Sequence, residues 1–266
     1  MIKKIAAVLF LLIMAAGSAF AFSVNIDPPS VWIAAAAGSS KSGSITVENK
    51  GYEDINVKAY SEDWIFAKDR SKTFKRPGST PLSCSNWIAL SPEKFTIAPG
   101  KSQEVKYTVS APANANGGYC SVIFFESQIT PEDKVKNSNV ILAGRIGSIV
   151  YFETQGRSTK NASISTIKAE KVSQSKPLLV KTVLKNEGNS IISAEGNAIL
   201  LDDENNLRAR VDIGKFYALP GETVPVIATW KGVLPQGEYD VIATIDYGGA
   251  APVSAQTKLV VGGKGK

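Results

Sequence analysis

The chain has 266 residues, of which 44% are hydrophobic, with 30 basic residues against 24 acidic ones and a net charge of +6. It contains no histidine, which excludes His-dependent catalytic triads, the commonest general base and most zinc sites. The charge is mild and nothing clusters enough to argue for nucleic acid. No paired carboxylates and no Ser/Lys arrangement stand out. No catalytic residue, metal ligand or cofactor is therefore expected, and the protein is read as non-enzymatic.

The first 22 residues are MIKKIAAVLFLLIMAAGSAFAF. Lys3 and Lys4 form a basic start, residues 5–16 an apolar stretch, and Ala19-Phe20-Ala21 a small-x-small cleavage pattern. The apolar stretch is short for a membrane span, so residues 1–21 are read as a cleaved export signal. Their removal leaves 28 basic and 24 acidic residues, a net charge of +4. About 245 residues then remain, too many for one sandwich of the usual ~100 residues and suited to two. A soluble, exported protein is expected, with no stable membrane insertion.

Cys84 and Cys120 are the only cysteines. An even pair in an oxidising compartment suggests a disulfide. Closing a loop of about 37 residues would contribute roughly 3–4 kcal/mol in the chain-entropy description.

Apolar alternation of period two runs through the chain, and no helical period of useful length competes with it. Residues 23–36 form a first strand broken by Pro28-Pro29, as tolerated at a sheet edge or switch. Ile45 and Val47 alternate inward, and Asn49-Lys50-Gly51 follows as a turn whose residues tolerate positive φ. Ile55, Val57 and Ala59 continue the pattern. Residues 66–83 form a long loop rich in Lys and Arg, a solvated excursion or a basic contact surface.

Short strands at residues 87–90 and 95–97 lead to the Pro99-Gly100 turn. Val105, Tyr107 and Val109 alternate, residues 112–118 form a corner, and residues 119–126 an apolar strand. Residues 127–138 form a mobile polar hairpin loop. The long strand NVILAGRIGSIVYFE follows at residues 139–153, and its apolar run 140–143 suits burial on both faces. Residues 154–160 have linker composition.

The pattern then restarts. Asn-x-Gly occurs at 49–51 and 186–188, and Phe-x-x-x-Pro-Gly at 95–100 and 216–221. Tyr119 and Tyr239 each follow a Pro…Gly corner. This ordered set predicts two duplicated β-sandwiches with a tyrosine corner in each. Trp64, Trp87 and Trp230 are scattered among elements and read as core anchors rather than a sugar-stacking platform.

With these residues in hand, residues 22–155 resemble the N-terminal immunoglobulin-like domain of periplasmic pilus-assembly chaperones of the PapD type. The match rests on the first strand, Asp63-Trp64, Leu90-Ser91-Pro92, Pro99-Gly100 and the strands at 119–125 and 139–152. The resemblance implies an all-β protein: two tandem immunoglobulin-like β-sandwich domains, at 22–155 and 160–262, behind the signal. It further implies a periplasmic protein whose last first-domain strand binds a strand-deficient pilus or surface subunit by β-augmentation. The partner-binding residues would be Val140, Leu142, Arg145 and Ile146; the other register would present Ile141, Ala143 and Ile149.

Two family features depart. No Arg stands near Pro29-Ser30-Val31-Trp32, and Val150 replaces the Lys of the last strand, so the family's carboxylate anchor is absent or rebuilt. Thr154-Gln155 stands where Arg-Pro is usual. A structural or adhesive cell-surface module binding through loops such as 66–83, and a glycan-binding module with Trp64 or Trp87 exposed, are the alternatives.

Overall fold

The computed structural model describes residues 24–129, 142–171 and 176–262. The signal at 1–21 and most of the 127–138 loop lie outside them.

Ten strands build the first sandwich: β1 (Val24–Asp27), β2 (Ser30–Ala35), β3 (Ser40–Asn49), β4 (Ile55–Phe66), β5 (Lys72–Lys75), β6 (Ile88–Ser91), β7 (Lys94–Ile97), β8 (Ser102–Ser110), β9 (Gly118–Ile129) and β10 (Leu142–Thr154). They form one sheet in the order β1-β3-β8-β6 and another in the order β2-β10-β9-β4-β5, with β7 also on β4. Ile45, Val47, Val105, Val109, Ile123, Phe125, Val150 and Phe152 fill the space between them. Burying such side chains at ~1.5–3 kcal/mol each is what the period-two alternation secures.

Seven strands build the second: β11 (Ala162–Glu170), β12 (Leu178–Asn186), β13 (Ile192–Leu201), β14 (Leu207–Ala218), β15 (Thr223–Trp230), β16 (Gly237–Asp246) and β17 (Val253–Val261). Their sheets run β11-β12-β15 and β14-β13-β16-β17. Leu184, Leu200, Val241 and Ile245 lie at the centre of this core. The protein is thus all-β, two sandwiches in tandem.

The repeated turn motifs have repeated bonding. Asn49 is fully buried; its amide nitrogen donates to the Glu53 and Ile97 carbonyls, and its oxygen accepts from the Gly51 amide. Asn186 does the same with Ser190, Ala218 and Gly188. The Asn-x-Gly motif therefore works through a buried amide, not through positive φ, which neither Asn49 nor Gly51 adopts. Positive φ falls instead on Gly100 and Gly221, one step after each proline. Both tyrosine corners form: the Tyr119 hydroxyl accepts from the Asn116 amide, and the Tyr239 hydroxyl donates to the Pro235 carbonyl.

Two expectations need correction. Residues 66–83 are not one solvated loop, because Lys72–Lys75 pairs with the end of β4. Within this segment Arg70 reaches the second sandwich, where it bonds Glu222 at 3.1 Å and the Tyr217 carbonyl. The disulfide does not form: Cys84 and Cys120 are both free and buried. Alternation on β9 is the reason. Tyr119, Ile123 and Phe125 turn toward the core that holds Cys84, whereas Cys120, Val122 and Phe124 turn to the opposite face. Burial pushes the Cys84 thiol up to about 12 and raises that of Cys120 as well.

Candidate functional site

β10 is paired unequally on its two sides. On one side it runs antiparallel to β9 from Leu142 to Glu153. On the other it meets β2, in parallel, only from Ile149 to Thr154. The cause is the Pro28-Pro29 break. Before it, β1 pairs with β3 in the opposite sheet; after it, β2 joins β10. The last contacts at the junction are the Ile149 amide to the Pro29 carbonyl, at 3.1 Å, and the Ser148 hydroxyl to the Pro28 carbonyl, at 2.8 Å. Among the described residues, no strand pairs with the outer edge of β10 ahead of Ile149. Since the Ile149 amide points to that edge, alternation aims the Gly147 and Arg145 amides there too.

A groove follows this open edge. It separates Ile26, Asp27, Pro29 and Thr46 on one wall from Ile146 and Gly147 on the other. Ile146 is half-buried and packs on the sandwich core, in line with Val150 and Phe152. Gly147 faces the other way, where a Cβ would come within 2.7 Å of Val122 and 2.9 Å of the Phe124 ring. A side chain there would have to displace part of the β9 face.

Of the four residues expected to touch a partner, Ile146 lines the groove. Arg145 does not share its face. Its guanidinium bonds Glu62 at 3.0 Å and Tyr60 at 3.2 Å, and lies 4.0 Å from the centroid of Phe124. Arg145 is held by its own sandwich, with its charge favoured first by Tyr60 and then by Glu62. Leu142 begins β10, pairing with Ile129, and Val140 lies outside the described residues.

The outer face of the same sheet meets the second sandwich. Trp64, Cys120, Val122, Phe124 and Tyr151 cluster with Ile191 and Leu219 across the junction. The Gly118 amide donates to the Asn189 carbonyl at 2.7 Å, and the Ser190 hydroxyl to Glu153 at 2.8 Å. Gly117, at φ 88°, has its missing Cβ position 2.4 Å from the Asn189 oxygen, so only glycine fits this seam. Trp64 is fully buried and donates to the Ser121 carbonyl, which removes it as a sugar platform. Trp87 packs on Tyr119 and Phe152.

Beside this seam Asp63 is fully buried without a cation. It accepts from the Ser83 and Ser85 hydroxyls, from the Thr80 hydroxyl and amide, and from the Gly78 amide. Burial raises its pKa, but these bonds outweigh burial and hold it below the usual carboxylate value. No group of three or more His, Cys, Asp or Glu close enough to hold a metal exists among the described residues.

Sequence reasoning missed Trp32, Tyr217 and the Asp63 cage. Trp32 looked like one more residue of an interrupted strand. The Asp63 donors lie 15 to 22 positions away along a segment with no periodicity.

No family model matches the chain, and no curated protein does. Solved structures do. The YadV chaperone is 14% identical at a TM-score of 0.46, over 88% of this chain and 99% of that one. The class 5 fimbriae chaperone CfaA is 13% identical at 0.46, over 88% and 99%. A Salmonella enterica complex of the SafA pilin with the SafB chaperone gives 14% at 0.44, over 89% and 97%. These are likenesses of fold. No helix among the described residues is long and apolar enough to cross a membrane.

Proposed function

We propose that the protein is an exported, periplasmic binding protein of the chaperone kind, without catalysis, which holds a strand-deficient subunit by pairing along β10. The observation that carries this is the open outer edge of β10 ahead of Ile149, beside a groove between the two sheets. An incoming strand would bond the Arg145 and Gly147 amides, and its alternate side chains would meet Ile146. Main-chain bonds supply affinity and side chains supply fit. Leu142 extends the edge to the start of β10, and Val140 lies outside the described residues. Arg145 contributes its backbone and, through Glu62 and Phe124, the setting of the strand. The domains divide at residues 156–159, between the 22–155 and 160–262 sandwiches.

Ile146→Asp tests this. Isolated from its own exported fraction, the protein should carry a stoichiometric β-rich subunit. The substitution should weaken that complex about 100-fold, about 2.7 kcal/mol, while Ile227→Asp on the second sandwich leaves it intact. Hydrogen exchange should show the Arg145 and Gly147 amides protected only in the complex. Unchanged exchange at those two amides with the subunit bound would refute pairing at this edge.

A further inference from the structure

Trp32 is 48% exposed, the largest apolar side chain so exposed among the described residues. It is not loose. Its ring stacks on Tyr151, its cross-strand partner, at 4.2 Å between centroids and 19° between planes. Tyr217 of the second sandwich lies nearly parallel to both, 5.4 Å from Tyr151 and 6.4 Å from Trp32. Tyr151 is fixed in turn by the edge of Trp64 at 6.0 Å. An indole is thus held rigidly by aromatic neighbours and still offers half its surface to solvent. Such a group loses little conformational entropy on binding and presents a large contact area.

Its position relative to β10 is what gives it an occupant. β2 takes the outer edge of β10 from Ile149 onward, so a strand paired to the open part must end against Ser30. Beyond that point the inner side is filled by Val31, Val150 and Ile26 of the core. The end of the added strand can continue only over the outer face, where Ser30 and Ala34 flank Trp32 with small side chains. One or two further residues span the distance, at about 3.3 Å each.

Resting on the strand-donation reading, we infer that Trp32 is a stacking subsite for an aromatic side chain at the end of the partner's strand. The surroundings favour a neutral ring over a cation. Lys215 Nζ already stands 5.9 Å from the Tyr217 ring, whereas the Arg70 charge is paired with Glu222. A second cation would be repelled. Ile149, Ile191 and Leu219, in the cluster that holds Tyr151 and Tyr217, are apolar.

The test uses the purified protein and synthetic alternating Val/Thr peptides of about ten residues, ending in Phe, Ala or Lys at either terminus, with affinities read by calorimetry. The Phe-ended peptide should bind roughly tenfold tighter than the Ala-ended one, an aromatic contact plus its buried area. The Lys-ended peptide should gain nothing. Trp32→Ala should erase the Phe preference and leave the Ala-ended peptide within about twofold of its original affinity. Trp32→Leu, which keeps apolar bulk, should also lose it, with an unchanged melting temperature confirming the fold. A Phe preference that survives Trp32→Ala, a wild-type protein without preference, or an equal loss for all peptides overturns the subsite. Binding of every peptide that is indifferent to Ile146→Asp, or no peptide binding at all, instead overturns pairing at β10 and the subsite with it.

Discussion

The second sandwich guards its outer strands in ways the open part of β10 does not. β15 carries Pro225 among outward-facing residues, which removes a donor from the edge. β14 is bulged twice against β13 and bears Arg208, Arg210 and Lys215. β17 alternates Gln256 and Lys258 outward. These are recognised means of preventing unwanted strand pairing. Residues 144–148 of β10 have none of them: no proline, no bulge against β9, and a single cation folded back onto Phe124. The same buried asparagine bonding and a tyrosine corner support both sandwiches, so the scaffold does not cause the difference. The Pro28-Pro29 break does, because it hands the first strand from one sheet to the other and, among the described residues, leaves a length of β10 unaccompanied. An edge without such guards is what the proposed strand pairing requires.

The comparison can be broken first at Asp63, which has no buried carboxylate counterpart among the described residues of the second sandwich. Asp63→Ala removes the carboxylate that accepts from three hydroxyls and two amides of the 78–85 segment. A loss of about 3–5 kcal/mol in denaturant unfolding is expected. The same group sets an acid limit. Its folded pKa lies below the unfolded one, so its stabilisation is complete above the unfolded value and is lost as pH falls through the folded value. Asp63→Asn should remove that part of the acid dependence. An acid profile unaltered by the substitution would show the cage to be unimportant.

The shared part of the comparison is sharpened by Asn49→Ala and Asn186→Ala. Each removes two buried donated bonds and one accepted bond. Each should cost about 2–4 kcal/mol, and the two losses should agree within about 1 kcal/mol if the motif does equal duty in both sandwiches. A several-fold inequality would mean that only one copy holds its turn.

The smallest effect concerns the cysteines. A thiol reagent at pH 8 should leave the native protein unmodified, because burial holds both thiols protonated. Unfolded without reductant, the chain should show two reactive thiols. Finding none would restore the disulfide expected from pairing and compartment alone.

Cys84 and Cys120 show where local reading stops. Their number and setting suggested a bridge, but which face of β9 each one meets depends on how a segment with no periodicity packs against that strand. Asp63 is similar: its neighbours Trp64 and Ile65 mark a strand, and nothing in the sequence announces five donors from residues 78–85. Arg145 is the lone cation of its strand, yet its partners Tyr60 and Glu62 come from β4 and turn it away from the groove.

What the sequence determined by itself was the alternation, the turns and the duplication. These are local: a period of two, a proline-glycine pair, or an asparagine two residues before a glycine acts within a few residues of itself. Only the tertiary structure decided which edge stays open, which indole faces solvent and which thiols face apart. Each of those outcomes depends on what a distant segment covers, and coverage is a property of packed sheets rather than of any stretch of chain.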